Sequence, residues 1–172
     1  MIVDIYTDGS HFKQRGRLGC GGIILIDGTL KDEYSLELTP DYLKEIIHTS
    51  DVSNPTTEMM GVLQALRRFK IPRGATEINV YTDYEGVGNW LEGRWKINKP
   101  YIKILYDLIH EEIRKKGLKG KIKFLWVKGH QNKSVMDPKA KWNNYVDKLA
   151  KGEWKVFVKI IEDLSNSMKP AD

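Results

Sequence analysis

Ile5-Tyr6-Thr7-Asp8 and Val80-Tyr81-Thr82-Asp83 are two copies of one pattern in a chain of 172 residues. In each, a β-prone apolar run ends on Thr-Asp, and the reading is a strand over 2–7 and another over 77–82, each delivering a carboxylate to its C-terminal end. If the two strands are parallel neighbours, those ends lie about 5 Å apart. Open α/β sheets gather ligands at the carboxyl ends of their strands. Two ionised carboxylates at such spacing repel, and each raises the other's proton affinity. A divalent cation between them relieves the repulsion, so the repeated pattern already points to a metal site.

Outward from these strands, an α/β order emerges. An Asp8-Gly9-Ser10 turn is expected after the first strand, then a glycine-led strand over 19–27, an Asp27-Gly28 hairpin turn and an alternating strand over 30–38. Tyr42, Leu43, Ile46 and Ile47 fall on one side of a short helix at about 41–48. Asn54-Pro55 reads as an N-cap followed by proline at the first helical position, opening a helix to about 70 with a stripe of Val62, Ala65, Leu66 and Phe69. Helices are expected near 84–92 and 100–116, a fifth strand over 121–128, and a last helix from about 138 to 164, bent at Gly152. The fold class is α/β: a five-stranded mixed sheet, three antiparallel strands plus two parallel ones, flanked by helices in one domain over 1–172.

Composition narrows the function classes. Hydrophobic residues are 41% of the chain and aromatics 10%, enough for a real core. No run reaches the ~18 apolar residues of a membrane span, and the N-terminal stretch lacks the long apolar segment of a signal peptide. One cysteine, Cys20, leaves no intramolecular disulfide and no cysteine-cluster metal site. The expectation is a monomer of the cytoplasm with no membrane contact and no obligate protein partner.

The net charge of +5 hides an uneven distribution. Residues 1–93 carry 9 basic and 14 acidic side chains (−5), residues 94–160 carry 18 and 6 (+12), and residues 161–172 carry 1 and 3 (−2). A basic block beside an acidic half suits a polyanion.

Two further acids belong with Asp8 and Asp83. Glu58 opens the helix after Asn54-Pro55, one turn before Val62 and on the same face, where the helix dipole favours a negative charge. Asp147 flanks the apolar stripe of the last helix together with Asn143. Four carboxylates without a His/Cys cluster call for a hard cation with oxygen ligands, and Mg2+ suits them, with Mn2+ as substitute. Two such ions about 4 Å apart activate a water and stabilise the leaving oxygen of a phosphodiester, while the basic block holds the backbone. His130, in Lys128-Gly129-His130-Gln131 after the fifth strand, could carry protons on a loop. His11, His48 and His110 have no comparable context.

These pieces together resemble the type 1 ribonuclease H family. The matching segments are Tyr6-Thr7-Asp8-Gly9-Ser10, Gly19-Cys20-Gly21-Gly22, Glu58, Tyr81-Thr82-Asp83, Val127-Lys128-Gly129-His130 and Asp147-Lys148-Leu149-Ala150, in the family's order over about residues 2–151. The resemblance implies that Asp8, Glu58, Asp83 and Asp147 are catalytic and hold two Mg2+ ions. It implies hydrolysis of the RNA strand of RNA/DNA hybrids, leaving 3′-hydroxyl and 5′-phosphate ends, with His130 as the family's loop histidine. It also implies substrate contacts at Gly9, Ser10, Asn54 and Asn143, and stacking of Trp95 or Trp90 on the DNA strand. The chain departs from the family in an extra helical insertion at about 39–55, in Pro55 where a second amide is usual, and in the lack of a long basic handle after Asp83. A DNA-directed nuclease of the same fold and a catalytically silent hybrid-binding domain are the alternatives.

Overall fold

The structure, a computed structural model, describes residues 1–12, 16–128 and 137–153. Five strands, β1 (Ile2–Phe12), β2 (Arg17–Ile26), β3 (Thr29–Glu37), β4 (Glu77–Thr82) and β5 (Ile122–Trp126), form one sheet in the order β3-β2-β1-β4-β5. β1, β2 and β3 run antiparallel in sequence, whereas β4 and β5 add parallel to β1. The expected five-stranded mixed α/β sheet is therefore present, with the two pattern-bearing strands side by side and Tyr6 opposite Tyr81. Asp27 (φ 47°) and Gly28 (φ 82°) make the β2–β3 turn, both in the left-handed region that two-residue hairpins demand.

Five helices cover the sheet: α1 (Pro40–Ile47), α2 (Asn54–Arg68), α3 (Glu85–Leu91), α4 (Pro100–Lys115) and α5 (Pro138–Ala150). On one face Val3, Ile5, Ile78, Val80 and Phe124 pack against α2 and α4 in the main core. On the other, Tyr6, Ile23, Leu25 and Tyr81 pack against Val146 and Leu149 of α5, with the Tyr6 and Tyr81 rings stacked at 4.6 Å. α2 is enclosed on all sides, every residue from 56 to 66 being buried. The inserted helix α1 is amphipathic and buries Leu43 and Ile47, and the Gln64 amide of α2 donates to the Tyr42 hydroxyl.

Two expectations need correction. The chain does not turn at Asp8-Gly9-Ser10: β1 runs on to Phe12, because the glycine-rich start of β2 pairs with it, Asp8 facing Gly21, Gly9 facing Cys20 and Ser10 facing Gly19. The cap of α2 is Ser53, with Asn54 inside the helix. Proline lacks the N–H that no residue of a first turn can use, so it fits a position one residue further in equally well. Within the described residues the last helix ends at Ala150, where Gly152 takes a left-handed φ of 78° beyond the Lys151 cap, and the expected continuation over 154–164 lies outside them.

Candidate active site

α2 meets the end of β1 at backbone contact. A Cβ on Gly9 would overlap the Thr57 carbonyl carbon and the Glu58 amide nitrogen, and one on Gly61 would come within 3.2 Å of the Asp8 carbonyl oxygen. At Gly9 nothing larger fits, and at Gly61 a side chain would be tight against β1. That approach places Glu58, in the first turns of α2, over Asp8 of β1, while the parallel register places Asp83 just past β4 beside them. One carboxylate oxygen from each of Asp8, Glu58 and Asp83 lies within 4.8 Å of the others.

Electrostatics at this cluster are unfavourable to charge. Asp8 and Glu58 are only 2% and 3% exposed. Burial, then repulsion from Glu58 and Asp83, pushes Asp8 well above the usual carboxylate range. Burial, then repulsion from Asp83, does the same to Glu58, opposed in part by a hydrogen bond with Asp8 and by the Gly9 backbone N–H. Glu58 Oε2 has no hydrogen-bond partner although it is buried. A buried, unpartnered carboxylate oxygen facing two more carboxylates fits a hard divalent cation: the donors are all oxygen, and the cation's charge offsets the repulsion.

The fourth acid is held differently. Asp147 stands on α5, close enough for its charge to raise the proton affinity of both Asp8 and Glu58. Its Oδ2, however, is 2.9 Å from the Lys151 ammonium one turn later, and it lies outside the three-residue cluster. The end of α5 is fastened to the sheet by Ser35, whose hydroxyl donates to the Leu149 carbonyl at 2.6 Å. Gly21 clears the way, since a Cβ there would come 2.6 Å from Leu149 Cβ.

The other expected site residues scatter around this centre. Gly9 lies on β1 next to Asp8, and Ser10 is nearly buried at 9%. Asn54 is exposed at the start of α2, whereas Asn143 is buried at 4%. Trp95 is 41% exposed and edge-on to Trp90, which in turn packs against Tyr84. Trp90 and Tyr84 line a cleft of about 250 Å³ with Ser53, Lys96 and Lys99. His130 lies outside the described residues. Two residues were missed in the sequence. Lys151 was readable as the i+4 partner of Asp147. Trp126, 56% exposed, donates its indole N–H to the Asp83 carbonyl at 3.1 Å, and only its position at the end of an edge strand hinted at that.

Comparison with known proteins agrees with this geometry. The RNase H family model matches residues 2–155. Ribonuclease H of Hahella chejuensis is 28% identical over 159 residues, 88% of this chain and 97% of that protein. Among solved structures, RNase H1 of the halophilic archaeon Halobacterium salinarum superposes with a TM-score of 0.65 at 18% identity, over 89% of this chain and 99% of that one. LC11-RNase H1, solved in complex with an RNA/DNA hybrid, gives 0.59 at 19% identity, over 85% and 97%. A family model spanning residues 2–155, an acidic cluster at the ends of two parallel strands and a β3-β2-β1-β4-β5 sheet converge on one assignment, and the chain belongs to the RNase H family.

Proposed function

We propose that this protein is an endonuclease that hydrolyses the RNA strand of RNA/DNA hybrids, with Asp8, Glu58, Asp83 and Asp147 holding two Mg2+ ions. The observation that carries the proposal is the three-carboxylate cluster with its unpartnered Glu58 oxygen. The hybrid bound to LC11-RNase H1 supplies the substrate class. When bound, the ions supply an activated water and stabilise the leaving 3′ oxygen, which gives 3′-hydroxyl and 5′-phosphate products.

The chain's own residues set that chemistry up. Asp8 and Glu58 are buried where β1 and α2 meet at backbone contact, which favours a fixed placement of their oxygens. Asp83 and Asp147 are more exposed than these two, and Asp147 is paired with Lys151. Asn54 stands exposed one turn before Glu58, in reach of a ribose 2′-hydroxyl, the group that tells RNA from DNA. Gly9 and Ser10 bring backbone to the same strand, Asn143, one turn before Asp147 on α5, is a further substrate contact, and Trp95 offers a ring for a DNA sugar. His130 is assigned proton transfer on its motif alone.

The test is incubation of matched RNA/DNA, RNA/RNA and DNA/DNA duplexes with Mg2+ or Mn2+. Cleavage of the RNA in the hybrid alone is expected, lost in Asp8→Asn and in Asp83→Asn. Full activity in either variant refutes the assignment, and equal cleavage of all-DNA duplexes replaces it with a DNA-directed nuclease.

A further inference from the structure

Part of the basic block of residues 94–160 lies far from the acidic cluster. β1, β4 and β5 all start at one end of the sheet and finish at the other, where Asp8 and Asp83 lie. α2 and α4 start near that finishing end, the Ser53 and Tyr101 hydroxyls being 3.4 Å apart. They run back together, so that Lys116 Nζ at the end of α4 donates to the Phe69 carbonyl at the end of α2. Segments 67–73 and 114–121 therefore meet at the opposite pole, where the Ile78 N–H donates to the Lys121 carbonyl. Ile78 precedes Asp83 by five residues, which at ~3.3 Å per residue puts roughly 17 Å between this pole and the carboxylates.

The two segments hold nine basic residues and no acidic one. Compensation of helix C-termini accounts for Arg67, Arg68, Arg114 and Lys115, which sit in last turns, and two of these are paired, Arg67 with Glu112 and Lys115 with Glu111. Lys70, Arg73, Lys119 and Lys121 lie beyond the helices and are exposed. Among the described residues none of these four is in an ion pair. Like charges gathered at one pole repel one another, and a bound polyanion offsets that repulsion.

We propose that this pole is a second nucleic-acid contact, a phosphate-backbone site separate from the cleavage site. The charges are dispersed along two segments instead of converging on one cavity, which suits a repeating chain of phosphates better than a single small anion. The contact reads no sequence, because ammonium and guanidinium groups on phosphates position a duplex without reading its bases. It would let the enzyme stay on a nucleic acid while the acidic pole engages and releases the hybrid.

The test compares the full chain with the variant Lys70→Gln/Arg73→Gln/Lys119→Gln/Lys121→Gln. Calorimetric titration with a DNA duplex of about 12 base pairs is expected to give two duplexes per wild-type chain and one per variant chain. The log–log salt dependence of total binding should become shallower by about 3.6, since each of the four lost phosphate contacts removes ~0.9. Cleavage of a hybrid of the same length should stay within about twofold at a salt where charges beyond ~8 Å are screened, and the melting temperature should hold. One duplex per wild-type chain, or unchanged binding by the variant, overturns the proposal. So does a parallel fall in hybrid cleavage, which would return these residues to the catalytic site. Unchanged DNA binding with lost binding of a polyglutamate peptide overturns it in favour of an acidic protein partner. Failure of wild-type hybrid cleavage would overturn the nuclease assignment instead, leaving the duplex stoichiometry to be judged by itself.

Discussion

Glu58→Gln should make the metal-free protein more stable, and only at the right pH. Oxygens of Asp8, Glu58 and Asp83 approach within 4.8 Å, where each pair of full charges costs roughly 3 kcal/mol at an effective dielectric of ~20. Protonation relieves part of this, so about 2 kcal/mol is the gain expected from an uncharged isostere. At ~2–4 °C per kcal/mol for a chain of this size, that is roughly 4–8 °C in melting temperature. Because Asp8 and Glu58 are raised above their unfolded values, the folded state binds more protons than the unfolded one. Their contribution is fully present below the unfolded values near pH 4 and is lost as pH rises through the raised native ones. Thermal melts of wild type and Glu58→Gln in a chelator should therefore coincide near pH 4 and separate at about pH 8, with the variant higher. Adding Mn2+ at the higher pH should raise wild type and leave the variant almost unmoved. A variant that melts at or below wild type at about pH 8 in chelator would show that the cluster is not strained by charge, and the argument for a cation there would fall.

Other perturbations follow from the same geometry. Gly9→Ala should cost ~2–3 kcal/mol in denaturant unfolding, since the new methyl meets the α2 backbone at Thr57 and Glu58. Lys151→Met should tighten calorimetric Mn2+ binding by about three- to tenfold, by removing the cation that holds Asp147, while Lys151→Arg should behave as wild type. Ser35→Ala should cost ~1 kcal/mol by unfastening α5 from β3 and should lower kcat more than it raises KM for a hybrid.

Much of this was legible before any coordinates. The Ile5–Asp8 and Val80–Asp83 patterns marked two strands that each end on a carboxylate, because β-prone runs and a terminal acid are local features, whereas their parallel pairing is set by the fold. Glycine was harder to read. Gly9 looked like a turn, yet it lies within a strand and owes its place to a helix fifty residues away in sequence. The break at Gly152 was legible, because a glycine interrupts an otherwise periodic run, and its left-handed φ of 78° follows the end of α5 at Ala150. The charge sum over residues 94–160 said that basic residues were plentiful. It could not say that Arg114, Lys115, Lys116, Lys119 and Lys121, at and beyond the end of α4, lie away from Asp8 and Asp83. Asp147 was found by position, but whether its carboxylate turns toward the cluster or toward Lys151 depends on side-chain geometry.

The enclosure of α2 bears on how the protein comes apart. Amide protons in a helix buried from residue 56 to 66 are expected to exchange with solvent only when the whole fold opens, whereas α5, with Lys139, Lys141 and Asn144 exposed, is expected to open in smaller fluctuations. Glu58 thus rides on the last element to yield, and Asp147 on one that gives way earlier. Partial unfolding would dismantle the acidic centre from one side, leaving Asp8 and Glu58 assembled after Asp147 has gone. Hydrogen exchange followed residue by residue would show the catalytic centre as two halves of unequal lifetime.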